Sequence, residues 1–70
     1  MKILDLHGIK HYEVKEKCHV FINNHWGENV KIITGHSKEM LKLVCEVLSF
    51  YGLQYSFDDF SAGGAIIVKE

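Results

Sequence analysis

The chain has 70 residues, 47% hydrophobic and 24% charged, with no proline, no low-complexity tract and a formal net charge of −1. Such a length gives one small domain, near the size where burial only just outweighs chain entropy. A net charge of −1 argues against a domain that clings to nucleic acid by bulk electrostatics, since such domains are usually strongly basic, but leaves room for contacts to a few phosphates.

In chain order, Ile3, Leu4 and Leu6 read as a first strand. Its alternation puts Leu4 and Leu6 on one face and Asp5 and His7 on the other, before Gly8 ends it. From about His11 to Asn24, Val14, Cys18, Phe21 and Ile22 recur at helical spacing, with Glu13, Lys15, Glu16 and Lys17 over much of the rest. The Asn- and Gly-rich stretch NNHWGEN (23–29) breaks that pattern, and VKIIT (30–34) is a second, β-branched strand. Ser37 is placed to cap a second helix, with Glu39 in its first turn facing the positive end of the helix dipole. Leu41, Val44, Leu48 and Tyr51 form its apolar stripe, widened by Met40, Leu43 and Val47, and Gly52 ends it. Leu41, Val44 and Leu48 are expected to be nearly buried. LQYSF (53–57) is a third strand, DDFSAGG (58–64) a loop and AIIVK (65–69) a fourth strand. Cys18 and Cys45 lack metal-type spacing and sit among apolar residues, so they are expected as buried, reduced thiols.

The order β-α-β-α-β-β predicts an α/β fold spanning residues 1–70 as a single domain. Two right-handed crossovers between parallel strands, moving the same way across the sheet, put both helices on one face. The result is a two-layer sandwich with a four-stranded mixed sheet and one open sheet face. No apolar run nears the roughly twenty residues of a membrane span. The N-terminus lacks the basic-then-apolar layout of a signal peptide, so a cytoplasmic monomer without membrane contact is expected.

Parallel first and second strands end at the same sheet edge, the side where open α/β sheets hold their ligands. Asp5, His7 and Gly8 then lie beside Thr34, Gly35, His36 and Ser37, where the second strand turns into the second helix. Unpaired N–H groups at that helix start, with Gly35 permitting close approach, make an anion cradle. A carboxylate, an imidazole and an anion cradle at one edge suit a phosphodiester. His7 could take a proton from an RNA 2′-hydroxyl or a water, or give one to the leaving oxygen. Asp5 could hold a bridging water, contact a ribose, or share a divalent ion with His7, although one Asp and one His are a poor ligand set. The structural alternative is equally simple. Asp5 caps a neighbouring backbone N–H, and His7 marks the exit of the strand.

LDLHG (4–8), a strand ending in Gly35 within IITG (32–35), and the glycine pair of GGAIIV (63–68) together resemble the small MutS-related (Smr) domain over about residues 2–69. The resemblance implies a two-layer fold like the C-terminal domain of bacterial translation initiation factor three. It also implies nucleic-acid binding and, as in several members, endonuclease activity on DNA or RNA. By motif, Asp5 and His7 match the residues tied to cleavage, and Thr34 and Gly35 match the second loop. Where many members carry a second glycine in that loop, this chain has Ser37, and His36 is available as a further phosphate contact. No resident cofactor is implied beyond a divalent cation, magnesium or manganese, in the scheme where Asp5 anchors one.

Two rival readings use the same residues. A non-catalytic module would recognise RNA or a ribosomal surface by this edge and the open sheet face, with Trp26 either stacking on a base or capping the core. A metal protein would use His7 and His11, four apart, but Gly8 and the strand-to-helix change spoil that spacing.

Overall fold

The repeat of Val14, Cys18 and Ile22 folds as helix α1 (His11–Asn24), with those three side chains buried. This geometry comes from a computed structural model that describes residues 1–57 and 64–69. Helix α2 (Lys38–Phe50) starts where Ser37 Oγ accepts the Met40 N–H at 3.1 Å. It closes with two nested bonds, Gly52 N–H to the Ser49 carbonyl and Leu53 N–H to the Leu48 carbonyl, both 3.0 Å. That pairing satisfies the last carbonyls of a helix and turns the chain away. Ser37→Ala is expected to lower stability by about 1 kcal/mol, or roughly 4–8 °C in melting temperature for a chain of this size. Thermal unfolding by circular dichroism checks it.

The strands are β1 (Lys2–Asp5), β2 (Val30–Ile33), β3 (Gln54–Phe57) and β4 (Ala65–Lys69), in the sheet order β1-β2-β4-β3. β1 and β2 are parallel, and β4 is antiparallel to both of its neighbours. The four-stranded sheet is therefore mixed, and both helices cover one face of it. β3 runs parallel to β2 as the second crossover requires, but it is not bonded to it, because β4 lies between them. Composition explains the placement. Ala65, Ile66 and Val68 of β4 are buried, whereas β3 is mostly exposed and takes an edge.

Pairing of Val30 with Val68 and Ile32 with Ile66 aims these four at the helices. There they join Leu6, Val14, Cys18, Ile22, Met40, Val44, Val47 and Leu48 in one core. Val44 and Leu48 are fully buried as expected, but Leu41 is only half-buried and Met40 is inside instead. The buried arc is centred on Val44, at positions 40, 44, 47 and 48, and Leu41 falls on its margin. Ile3, Lys31, Ile33 and Ile67 lie on the other sheet face, where Ile3 is exposed. Burial pushes the Cys18 thiol up to about 11, while Cys45 is only half-buried, and both are free thiols. Of the expected loop at 58–64, only Gly64 lies within the described residues. Among these residues no helix is long and apolar enough to cross a membrane.

Candidate functional site

β1 hydrogen-bonds to β2 one residue past its last strand residue, through Leu6 N–H to the Ile33 carbonyl at 2.9 Å. The chain then turns at once. Ile9 N–H bonds the Leu6 carbonyl at 3.0 Å, with Gly8 at φ +83° as the third residue of the turn, a position that favours glycine. His7 therefore sits in a turn and not on the strand face shared with Asp5, which corrects the alternation expected from the sequence. The strand stops because the turn closes before His7 can pair. Asp5 Oδ1 accepts the His7 backbone N–H at 2.9 Å, so the carboxylate fixes the turn that presents His7. Both side chains are exposed. Capping of a neighbouring N–H is the role of Asp5 that this geometry carries.

The second loop is anchored from a third segment. The Gly64 carbonyl accepts Thr34 N–H at 3.1 Å and Gly35 N–H at 3.2 Å. The Thr34 hydroxyl lies 3.3 Å from the Gly35 and Gly64 carbonyl oxygens, and Thr34 is buried. Thr34 is thus a strut rather than a ligand contact, and the Gly35 amide already has an acceptor. The anion cradle expected from Gly35 to Ser37 narrows to the end of that stretch, with exposed His36 and half-buried Ser37. Gly64 (φ +78°) is where the two backbones touch, since a Cβ there would lie 2.4 Å from the Gly35 carbonyl oxygen. No residue with a side chain fits that approach.

The two loops are joined by His11, which sequence reasoning considered only as a metal ligand. Its Nε2 lies 3.4 Å from Ser37 Oγ, and its Nδ1 lies 3.3 Å from Glu39 Oε2. The signal was present in the expected topology. Two helices that start at the same sheet edge on the same face put the first residue of one beside the cap of the other. Lys10 precedes the first turn of α1 without a side-chain cap bond, and Lys38 opens α2. Cations at helix starts oppose the helix dipole, so neither lysine serves helix stability, whereas Glu13 and Glu39 in the first turns do.

Asp5, His7, Gly8, His36 and Ser37 thus gather at the carboxyl ends of the parallel pair, with Thr34 and Gly35 holding the scaffold. Among the described residues, no three His, Cys, Asp or Glu side chains are grouped to hold a metal ion. A divalent ion at Asp5 would take most of its ligands from water and substrate phosphates, a set magnesium accepts. Two hollows lie elsewhere. One of about 390 Å³ runs between β1 and α1, lined by Leu4, Val20 and Phe21 among others, and one of about 270 Å³ lies beside His19 and Phe50. Trp26 is 56% exposed with its ring 5.7 Å from that of Tyr51, so it caps little of the core. It sits at the helix C-termini, about 20 Å from the site at ~1.5 Å of helix rise per residue. Comparison of the chain with profiles of known protein families, with curated proteins and with solved structures finds no match.

Proposed function

We propose that the chain is an Smr-like nucleic-acid-binding domain that cleaves phosphodiester bonds at the carboxyl edge of β1 and β2. The observation that carries this reading is the convergence at that edge of two turns and two helix starts bearing His7, His36, Lys10 and Lys38. The helix starts and lysines bind the phosphate, and His7 moves the proton as general acid or base. Asp5 is a positioning residue in this scheme, because its carboxylate oxygen holds the His7 amide. The proton transfer needs no metal.

The test is incubation of the purified protein with labelled single-stranded RNA and with supercoiled DNA, in magnesium, in manganese and in chelator. Cleavage is expected to persist in chelator and to fall about 10²–10⁴-fold in His7→Ala, the usual worth of a positioned acid or base. Asp5→Asn keeps an acceptor for the His7 N–H and is expected to keep more activity than Asp5→Ala. Loss of cleavage in chelator would exclude the metal-free scheme. Equal cleavage by wild type and His7→Ala would remove His7 from the mechanism.

A second reading is a module that binds RNA, a ribosomal surface included, without cutting it. The engagement of Asp5 by the turn favours it, since the carboxylate then serves the backbone and not a reacting group. Binding without cleavage in any of these conditions is its signature.

A further inference from the structure

The contacts of His11 have a chemical meaning that phosphate binding does not use. Ser37 Oγ faces His11 Nε2 at 3.4 Å, and Glu39 Oε2 faces His11 Nδ1 at 3.3 Å. A hydroxyl, an imidazole and a carboxylate are thereby arranged as nucleophile, base and orienting group, each on the correct ring nitrogen. Such contacts are often loose before substrate arrives and tighten in the reacting complex. Ser37 is further activated by its place in the fold. Its Oγ accepts the Met40 N–H at 3.1 Å at the start of α2, so a donor and the helix dipole both favour negative charge on that oxygen. The remaining first-turn N–H groups of a helix have no carbonyl partner within it and can face an oxyanion.

We propose that Ser37, His11 and Glu39 form an acyl-transfer centre acting on small activated carboxylic esters. Ser37 is half-buried and His11 and Glu39 are exposed, so the centre lies on an open edge and takes a small substrate with a good leaving group. Ser37 Oγ bonds to the acyl carbon as the carbon–oxygen bond to the leaving group breaks. The hydroxyl proton passes to His11 Nε2 and on to the departing oxygen. Water then attacks the acyl-Ser37 ester and gives a proton to His11. The carboxylic acid leaves as that proton returns to Ser37 Oγ. Glu39 holds the His11 ring with Nε2 toward the serine. This centre does not depend on the phosphodiester reading, in which His7 moves the proton.

The experiment is p-nitrophenyl acetate hydrolysis by the full chain, with peptide mass mapping of the acetylated site. Wild type is expected to release a stoichiometric burst of nitrophenolate and to carry acetate on Ser37. Ser37→Asp keeps a capping acceptor for Met40 while removing the nucleophile, and is expected to lose the burst with its circular dichroism and melting curve retained. His11→Gln is expected to lose about 10²–10⁴-fold in acylation rate. Glu39→Gln is expected to lose less. Acetate found only on lysines, or an undiminished burst in folded Ser37→Asp, would overturn the proposal. Loss of nuclease activity in His7→Ala with an intact acetate burst would separate the two centres.

Discussion

Leu48→Ala is expected to lower the unfolding free energy by about 2–5 kcal/mol, the range for truncating a buried leucine. Leu48 is fully buried within the core that the two helices share with β2 and β4. A chain of this length has a total stability of roughly 4–10 kcal/mol at about 0.05–0.15 kcal/mol per residue. A single cavity at this position therefore removes a large share of it. Leu41→Ala, at the margin of the same helix face, is expected to lose much less. Urea unfolding of the two variants is the check, with the midpoint shifted and the slope unchanged. Equal losses at the two positions would mean that α2 presents a different face to the sheet.

Gly64→Ala is the second large effect, and its cause is different. The left-handed backbone conformation alone costs an L-residue about 1–2 kcal/mol. The new Cβ would also lie 2.4 Å from the Gly35 carbonyl oxygen, which is backbone and cannot swing aside. Either β4 or the second loop has to shift, and the three bonds from Thr34 and Gly35 to the Gly64 carbonyl weaken with it. Gly8→Ala is the control. Gly8 has φ +83°, yet a Cβ there meets nothing within 4 Å. The excess loss of melting temperature in Gly64→Ala over Gly8→Ala reads the backbone clash, and the same variant, by moving the second loop, is expected to weaken the nucleic-acid binding proposed at this edge. Equal losses would show that the close approach of the loops contributes nothing.

These two variants mark what the sequence revealed and what it did not. α1 at 11–24 and β4 at 65–69 were legible because helical spacing and a short β-branched run are local patterns. Ser37 was legible as a cap because capping involves only neighbours three residues apart. The place of β4 between β2 and β3 was not, since strand order is set by pairing between segments far apart in the chain. His7 was misplaced onto a strand face, because alternation continues on paper through residues that a turn has already claimed. His11 and Gly64 were missed as site-builders for one reason. Each acts on a residue 26 or 29 positions away, and only the assembled sheet edge brings Ser37 to His11 and Gly35 to Gly64.

Under the proposed function, nucleic acid binds at the carboxyl edge of β1 and β2, on the starts of both helices. The most direct measurement is a backbone amide chemical-shift titration with a short single-stranded oligoribonucleotide at low salt, where phosphate contacts are strongest. The largest shifts are expected at Gly8, His36, Ser37 and Lys38, reduced in a Lys10→Glu, Lys38→Glu variant. Shifts confined to the far ends of the helices, around Trp26, Phe50 and Tyr51, would exclude binding at this edge, as would an unchanged spectrum.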